Sequence, residues 1–215
     1  MSPPVLYEKN PRLFRLGFFF KKEIIMRNDD VYLQLYLIRH AESMGNIETN
    51  EEFDQTNPPL TDHGKKQAEA LGRRFEEQKP DVVYASPLIR ARQTAQALNT
   101  EILLLNEITE KDVSVDAEGF SVIPESDEEC AERAEKIINM LKETHSGKSV
   151  ALVTHGVFIQ FLIRAALGVE GVNFSVYNAS VTKINFRHLP SFNKLALQND
   201  ISHLLSTDGD RLFWM

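Results

Sequence analysis

The sequence predicts an α/β protein built on an open sheet, and three junctions predict it. In each, a short apolar strand runs into a polar turn: Leu37-Ile38-Arg39-His40, Val83-Tyr84-Ala85-Ser86-Pro87 and Val153-Thr154-His155-Gly156. The second and third turns open directly into helical segments. Ligands of such sheets collect outside the carboxyl ends of the strands, so each junction delivers its polar residues to one rim.

Length and composition set the bounds. The chain has 215 residues, enough for one full core, and its 42% hydrophobic and 26% charged content is ordinary for a globular protein. The net charge of −7 argues against an extended nucleic-acid or anionic-membrane surface, which needs a basic face. Cys130 is the single cysteine, so no internal disulfide framework is possible. The apolar run Leu16 to Phe20 is too short for a signal peptide or a membrane span. These features read as a cytoplasmic protein.

Taken in order, residues 1–30 read as an N-terminal extension, with Pro3, Pro4 and Pro11 breaking any early helix. Residues 31–215 read as a single catalytic domain. Val31 to Ile38 is a strand apolar on both faces apart from Gln34, which suits a central position. Glu48 to Pro59 is a polar loop. Thr61 caps a helix expected over Asp62 to Gln78, with Ala68, Leu71 and Phe75 inward. Asp81 to Tyr84 is a second strand. Ser86 followed by Pro87 has the form of an N-cap and first helical residue, and the helix expected to Leu98 carries Arg90 in its first turn.

Glu101 to Leu105 is a third strand, ending near Glu107. Thr109 to Pro124 shows no clear period and reads as a lid-like loop. Ser126 with Glu129 forms a capping box for a helix to about Glu143, with Cys130, Ala134, Ile137, Ile138 and Leu141 on its buried face. Ser149 to Thr154 is a buried strand and Val157 to Leu167 an apolar helix. Tyr177 to Arg187 and Lys194 to Asn199 read as an antiparallel hairpin at the sheet edge, joined at Leu189-Pro190-Ser191, with Asp200 to Met215 as a tail.

The strand ends thus gather Arg39, His40, Arg90, Glu107, His155 and the helix N-terminus after Gly156. Two arginines and a set of free N–H groups suit a dianionic oxygen cluster, of which phosphate is the commonest. A neutral imidazole is a competent nucleophile toward phosphorus, and a second, cationic one would stabilise the oxygens. A carboxyl group near the ester oxygen would serve as acid and then as base. Two histidines and a carboxylate could also hold a metal, but adjacent arginines repel a cation, and the histidines lack local ligand spacing. His63, His145, His188 and His203 are assigned no role.

With these residues in hand, the sequence resembles the histidine phosphatase superfamily, in its phosphoglycerate mutase-like branch. The matching segments include Leu37 to Ser43 with Asn46, Leu60-Thr61 with Gly64, Ser86-Pro87-Leu88 with Arg90, and Leu105-Asn106-Glu107. Glu125-Ser126 with Arg133, Val153 to Gly156, and Asn178-Ala179-Ser180 complete them, in family order. The resemblance implies a three-layer α/β/α sandwich with a mostly parallel sheet and one antiparallel strand. It implies a phosphohistidine on His40, a phosphate pocket completed by Arg39, Arg90 and His155, a phosphate contact from Asn46, Glu107 as proton donor, and no metal or other cofactor.

Two positions depart from the pattern. Ala41 replaces the glycine after the Arg-His pair, and Lys111 replaces the glycine four residues beyond the acid, which brings Glu110 and Asp112 forward as alternative acids. The family contains mutases, small-molecule phosphatases, protein phosphohistidine phosphatases and inactive phosphate-binding members. Mutases resemble one another in a long basic insertion between the acid and the second histidine. Here 47 residues separate Glu107 from His155, and the lid contains one basic residue, Lys111. The expectation is hydrolysis of a small-molecule phosphomonoester, with oligomeric state unassigned.

Overall fold

The computed structural model describes residues 31–48, 52–116, 119–188 and 193–205. The N-terminal extension and the Leu189-Pro190-Ser191 turn lie outside the described residues.

Strand β1 (Val31–Arg39) is central because both its edges are paired, parallel to β6 (Lys148–Thr154) and antiparallel to β7 (Val181–Arg187). Beyond β6 lie β2 (Val82–Ala85) and β3 (Ile102–Leu104), both parallel; beyond β7 lies β8 (Lys194–Asp200). The order is β3-β2-β6-β1-β7-β8, and β7 alone runs against the other five.

Alternation along β1 builds two cores from one strand. Leu33, Leu35 and Leu37 face helices α3 (Asp127–Thr144) and α4 (Gly156–Leu167), in a cluster that includes Cys130, Ile138, Leu141, Phe158 and Leu162. Tyr36 and Ile38 face α1 (Asp62–Arg74) and α2 (Ile89–Gln96), with Leu71, Phe75, Ala91 and Ala95. Helices on both faces of the sheet make the expected three-layer sandwich. No helix among the described residues is long and apolar enough to cross a membrane.

Local signals set the helix starts. Thr61 Oγ1 accepts from the Gly64 N–H at 2.8 Å, and Ser126 with Glu129 forms the full capping box. Helix α1 ends at Arg74, earlier than expected, where the Phe75 N–H closes on the Leu71 and Gly72 carbonyls and its side chain enters the core. Gly64 is required by space: a Cβ there would stand 1.9 Å from the Glu42 carbonyl oxygen.

Three expectations are corrected. Helix α2 begins at Ile89 with Leu88 at the capping position, while the Ser86 hydroxyl meets His155 Nε2 at 2.8 Å and accepts from the Leu88 N–H at 3.4 Å. The lid is not irregular throughout: β4 (Val113–Asp116) and β5 (Gly119–Val122) form a separate antiparallel hairpin. The chain after Asp200 is no plain tail, since the turn Ser202–Leu204 buries Leu204 against Ala41, Leu60 and Ala179.

Candidate active site

Arg39 pairs with Thr154 across β1 and β6, so His40 and His155 leave adjacent parallel strands side by side. Their ring centroids are 5.2 Å apart and tilted by 57°. Both are buried, His40 at 3% exposure and His155 at 0%.

His40 is fixed at several points. Its Nδ1–H donates to the Ala41 carbonyl at 2.7 Å, since a carbonyl can only accept, so the lone pair is on Nε2. The His40 backbone N–H donates to the Thr154 carbonyl, and its own carbonyl accepts from the Ala179 N–H and the Asn178 amide. Ala179 takes a left-handed φ of 55° to do so, a conformation that costs a non-glycine residue energy and clusters at functional sites. Burial, then the charges of Arg90 and Arg39, hold the His40 ring well below the ordinary imidazole range.

His155 is held low by burial first, then by His40, Arg90 and Arg39. A proton on His155 is therefore disfavoured in the protein alone, because it would be buried beside His40, Arg90, Arg39 and Arg133. Its Nε2 meets the Ser86 hydroxyl at 2.8 Å, while Nδ1 is buried without a partner among the described residues.

The arginines frame the histidines. Arg39 Nη1 donates to the Val176 carbonyl at 2.7 Å, and its buried Nε has no partner. Gly156 packs against that guanidinium: a Cβ would lie 3.2 Å from Nε. Arg90 is buried in the first turn of α2, and its carbonyl accepts from Thr94 Oγ1, which in turn accepts from the Ala41 N–H. Asn46 lies further out, its Oδ1 held by Ser43 and by the Asn178 amide. A cavity of about 670 Å³ beside Arg39 is lined by Glu42, Asn46, Ile47, His63, Tyr177 and Asn178.

The carboxylates separate in space. Glu107 is exposed on the turn Asn106–Ile108, at a second cavity of about 420 Å³ that Asp112 and Arg133 also line. Asp112 Oδ1 accepts from the Glu125 N–H at 2.6 Å. Glu110 lies instead on the N-terminus of α4, accepting from the Phe158 N–H at 3.0 Å, with the Val157 N–H at 3.4 Å. Two of the N–H groups expected to cradle phosphate are therefore taken by a side chain of the chain itself.

Sequence reasoning gave Arg133 no role. Its guanidinium pairs with both oxygens of Glu125 at 2.8 and 2.7 Å, donates to the Glu107 and Thr109 carbonyls at 2.8 and 3.2 Å, and covers the Phe158 ring at 4.0 Å. It pins the segment that carries Glu107 and Glu110. Among the described residues no three His, Cys, Asp or Glu side chains converge as a metal-ligand set.

The family model for the histidine phosphatase superfamily (branch 1) matches residues 35–122 and 106–195. A probable phosphatase of Schizosaccharomyces pombe is 30% identical over 166 residues, spanning 66% of this chain and 58% of that relative. A probable phosphoglycerate mutase of Klebsiella pneumoniae is 26% identical over 213 residues, covering 84% of this chain and 99% of that one. Among solved structures, a phosphoserine phosphatase mutant from Entamoeba histolytica in complex with phosphoserine shares the fold with a TM-score of 0.66 at 23% identity, covering 80% of this chain and 100% of that one.

Proposed function

Because the chain belongs to the histidine phosphatase superfamily, we propose that it is a phosphomonoester hydrolase that acts on a small phosphorylated metabolite through a phosphohistidine on His40. The observation that carries this reading is the orientation of His40. With Nδ1–H committed to the Ala41 carbonyl, the Nε2 lone pair is the nucleophile, and a ring held neutral needs no prior deprotonation.

In the first step Nε2 attacks phosphorus and the P–O ester bond breaks. Arg39, Arg90 and His155 hold the equatorial oxygens, and the phosphoryl charge draws a proton onto His155 that the protein alone disfavours. Asn46 contacts the same group from the cavity side, and Gly156 lets Arg39 approach. Glu107 gives its proton to the leaving oxygen, which departs as an alcohol. In the second step Glu107 takes a proton from water, whose oxygen displaces His40 from phosphorus and releases phosphate. Glu107 holds this role on the family resemblance; Glu110, whose two oxygens face backbone N–H groups, and Asp112, which holds the Glu125 N–H, are the alternative acids. No metal or other cofactor enters the scheme.

Hydrolysis is preferred to mutase transfer on one observation. Lys111, the single basic residue of the lid, is paired with Asp127 at 2.6 Å, so the lid offers a substrate carboxylate no second cation. Structural neighbours crystallised with phosphoserine and with 3-phosphoglyceric acid support a small phosphorylated substrate.

The test is phosphate release from an aryl phosphate between about pH 4 and 8, with chelator present, for wild type and His40→Ala. Hydrolysis that disappears in the variant supports a metal-independent phosphohistidine route. Retention of most activity by His40→Ala refutes the nucleophile, and loss in chelator with recovery on zinc addition refutes metal independence. Interconversion of phosphoglycerates faster than phosphate release would instead favour the mutase.

A further inference from the structure

Glu110 is the charged residue at this rim that the proposed reaction leaves without a task. Its Oε1 accepts from the Phe158 N–H and the Lys111 N–H, each at 3.0 Å, and Oε2 faces the Val157 N–H at 3.4 Å. These helix N–H groups follow directly on Gly156, which packs on the Arg39 guanidinium. A helix N-terminus attracts anions, and here a side chain occupies that place. Arg133 clamps the arrangement, donating to the Thr109 carbonyl one residue before Glu110 and covering the Phe158 ring whose N–H Glu110 holds. Burial lowers the pKa of the Arg39 and Arg90 guanidinium groups, and the Glu110 charge opposes that shift at both.

We propose that Glu110 is a built-in counter-ion that sets how tightly the Arg39–Arg90 pocket holds a phosphoryl group. The inference rests on the phosphoryl-pocket reading above. A bound dianion and the carboxylate draw on the same two cations, and like charges repel. Phosphate is then held less tightly than the arginines alone would hold it, and the product leaves sooner.

Calorimetric titration of the full chain with inorganic phosphate, at neutral pH and low salt, tests this. Glu110→Gln keeps an oxygen for the helix N–H groups and removes the charge. It should bind phosphate about tenfold more tightly. KM and kcat should fall together as product release slows. Glu110→Asp should stay near wild type in affinity. A purely structural role predicts the reverse for Glu110→Gln: weaker phosphate binding and a higher KM, either of which overturns the proposal. Equal affinity in wild type and Glu110→Gln overturns it while leaving the hydrolase reading intact. Absence of phosphate binding in both, with no hydrolysis by wild type, overturns both readings. If Glu110→Gln fails to fold, Glu110→Ser carries the same expectation and the same refutation.

Discussion

His40 shows how one hydrogen bond decides chemistry at the scale of a residue. Turning the Ala41 carbonyl away from Nδ1 would free the tautomer and share the lone pair between two nitrogens. Replacing Glu107 tests the other half of the reaction. Glu107→Gln should cut turnover by about 10²–10⁴-fold, the range of a lost general acid, with little change in folding. Glu110→Gln should not match that loss. A steady-state comparison of the two variants decides which carboxylate moves the proton. His203 gives a pH prediction of a different kind. Its Nε2–H donates to the Ala179 carbonyl, Nδ1 accepts from Arg74, and burial beside that arginine lowers its pKa to about 4. The unfolded state therefore binds a proton that the folded state refuses between about pH 4 and the ordinary imidazole value. Stability is full above that window and falls as pH drops through it, by roughly 3 kcal/mol for this one group. His203→Gln should flatten the acid side of a melting-temperature profile.

Which residues could be read in advance follows from where their partners sit. Arg39, His40 and His155 stand at strand ends and Arg90 in the first helical turn after one, so local pattern alone carries them to one rim. Ser86 misled because a serine before proline has the form of a cap, whereas the helix starts at Ile89, and only tertiary structure reveals the bond from Ser86 to the His155 ring. Arg133 and Glu110 were illegible as a clamp and a cap for the same reason. Their partners are backbone carbonyls and N–H groups 24 and 48 residues away, which leave no mark on side-chain spacing.

At the scale of elements, capping and close approach dominate. Ser126→Ala should remove the α3 capping box and lower stability by about 1 kcal/mol, measurable by denaturant unfolding. Gly64→Ala should be far more damaging, because backbone must move to make room against the Glu42 carbonyl. Failure to express as a folded protein, or a melting temperature lowered by many degrees, is the expected result. The β4–β5 hairpin escaped sequence reading although Val113, Val115, Phe120 and Val122 carry some alternation. Two short strands that pair only with each other offer too few residues to separate a period of two from an irregular loop. The centre of the main sheet was legible because β1 and β6 bury long apolar runs on both faces.

At the scale of the whole molecule, residues 31–205 include every site residue named here. We propose that residues 1–30 are dispensable to them. Deletion of Met1 to Asp30 should leave the melting temperature and kcat/KM close to wild type, and a large loss of either would refute that. The three-layer arrangement also divides labour between sheet and loops. The pairing of Arg39 with Thr154 makes His40 and His155 successive steps off one ladder, and their 5.2 Å separation is close to the spacing of about 4.8 Å between neighbouring strands. The gap between the two histidine rings thus follows the spacing of neighbouring strands. Insertions and replacements in the surrounding loops can reshape what enters the cleft while the reactive pair keeps its spacing. In evolutionary terms, such a chain can change substrates many times without having to rediscover its chemistry.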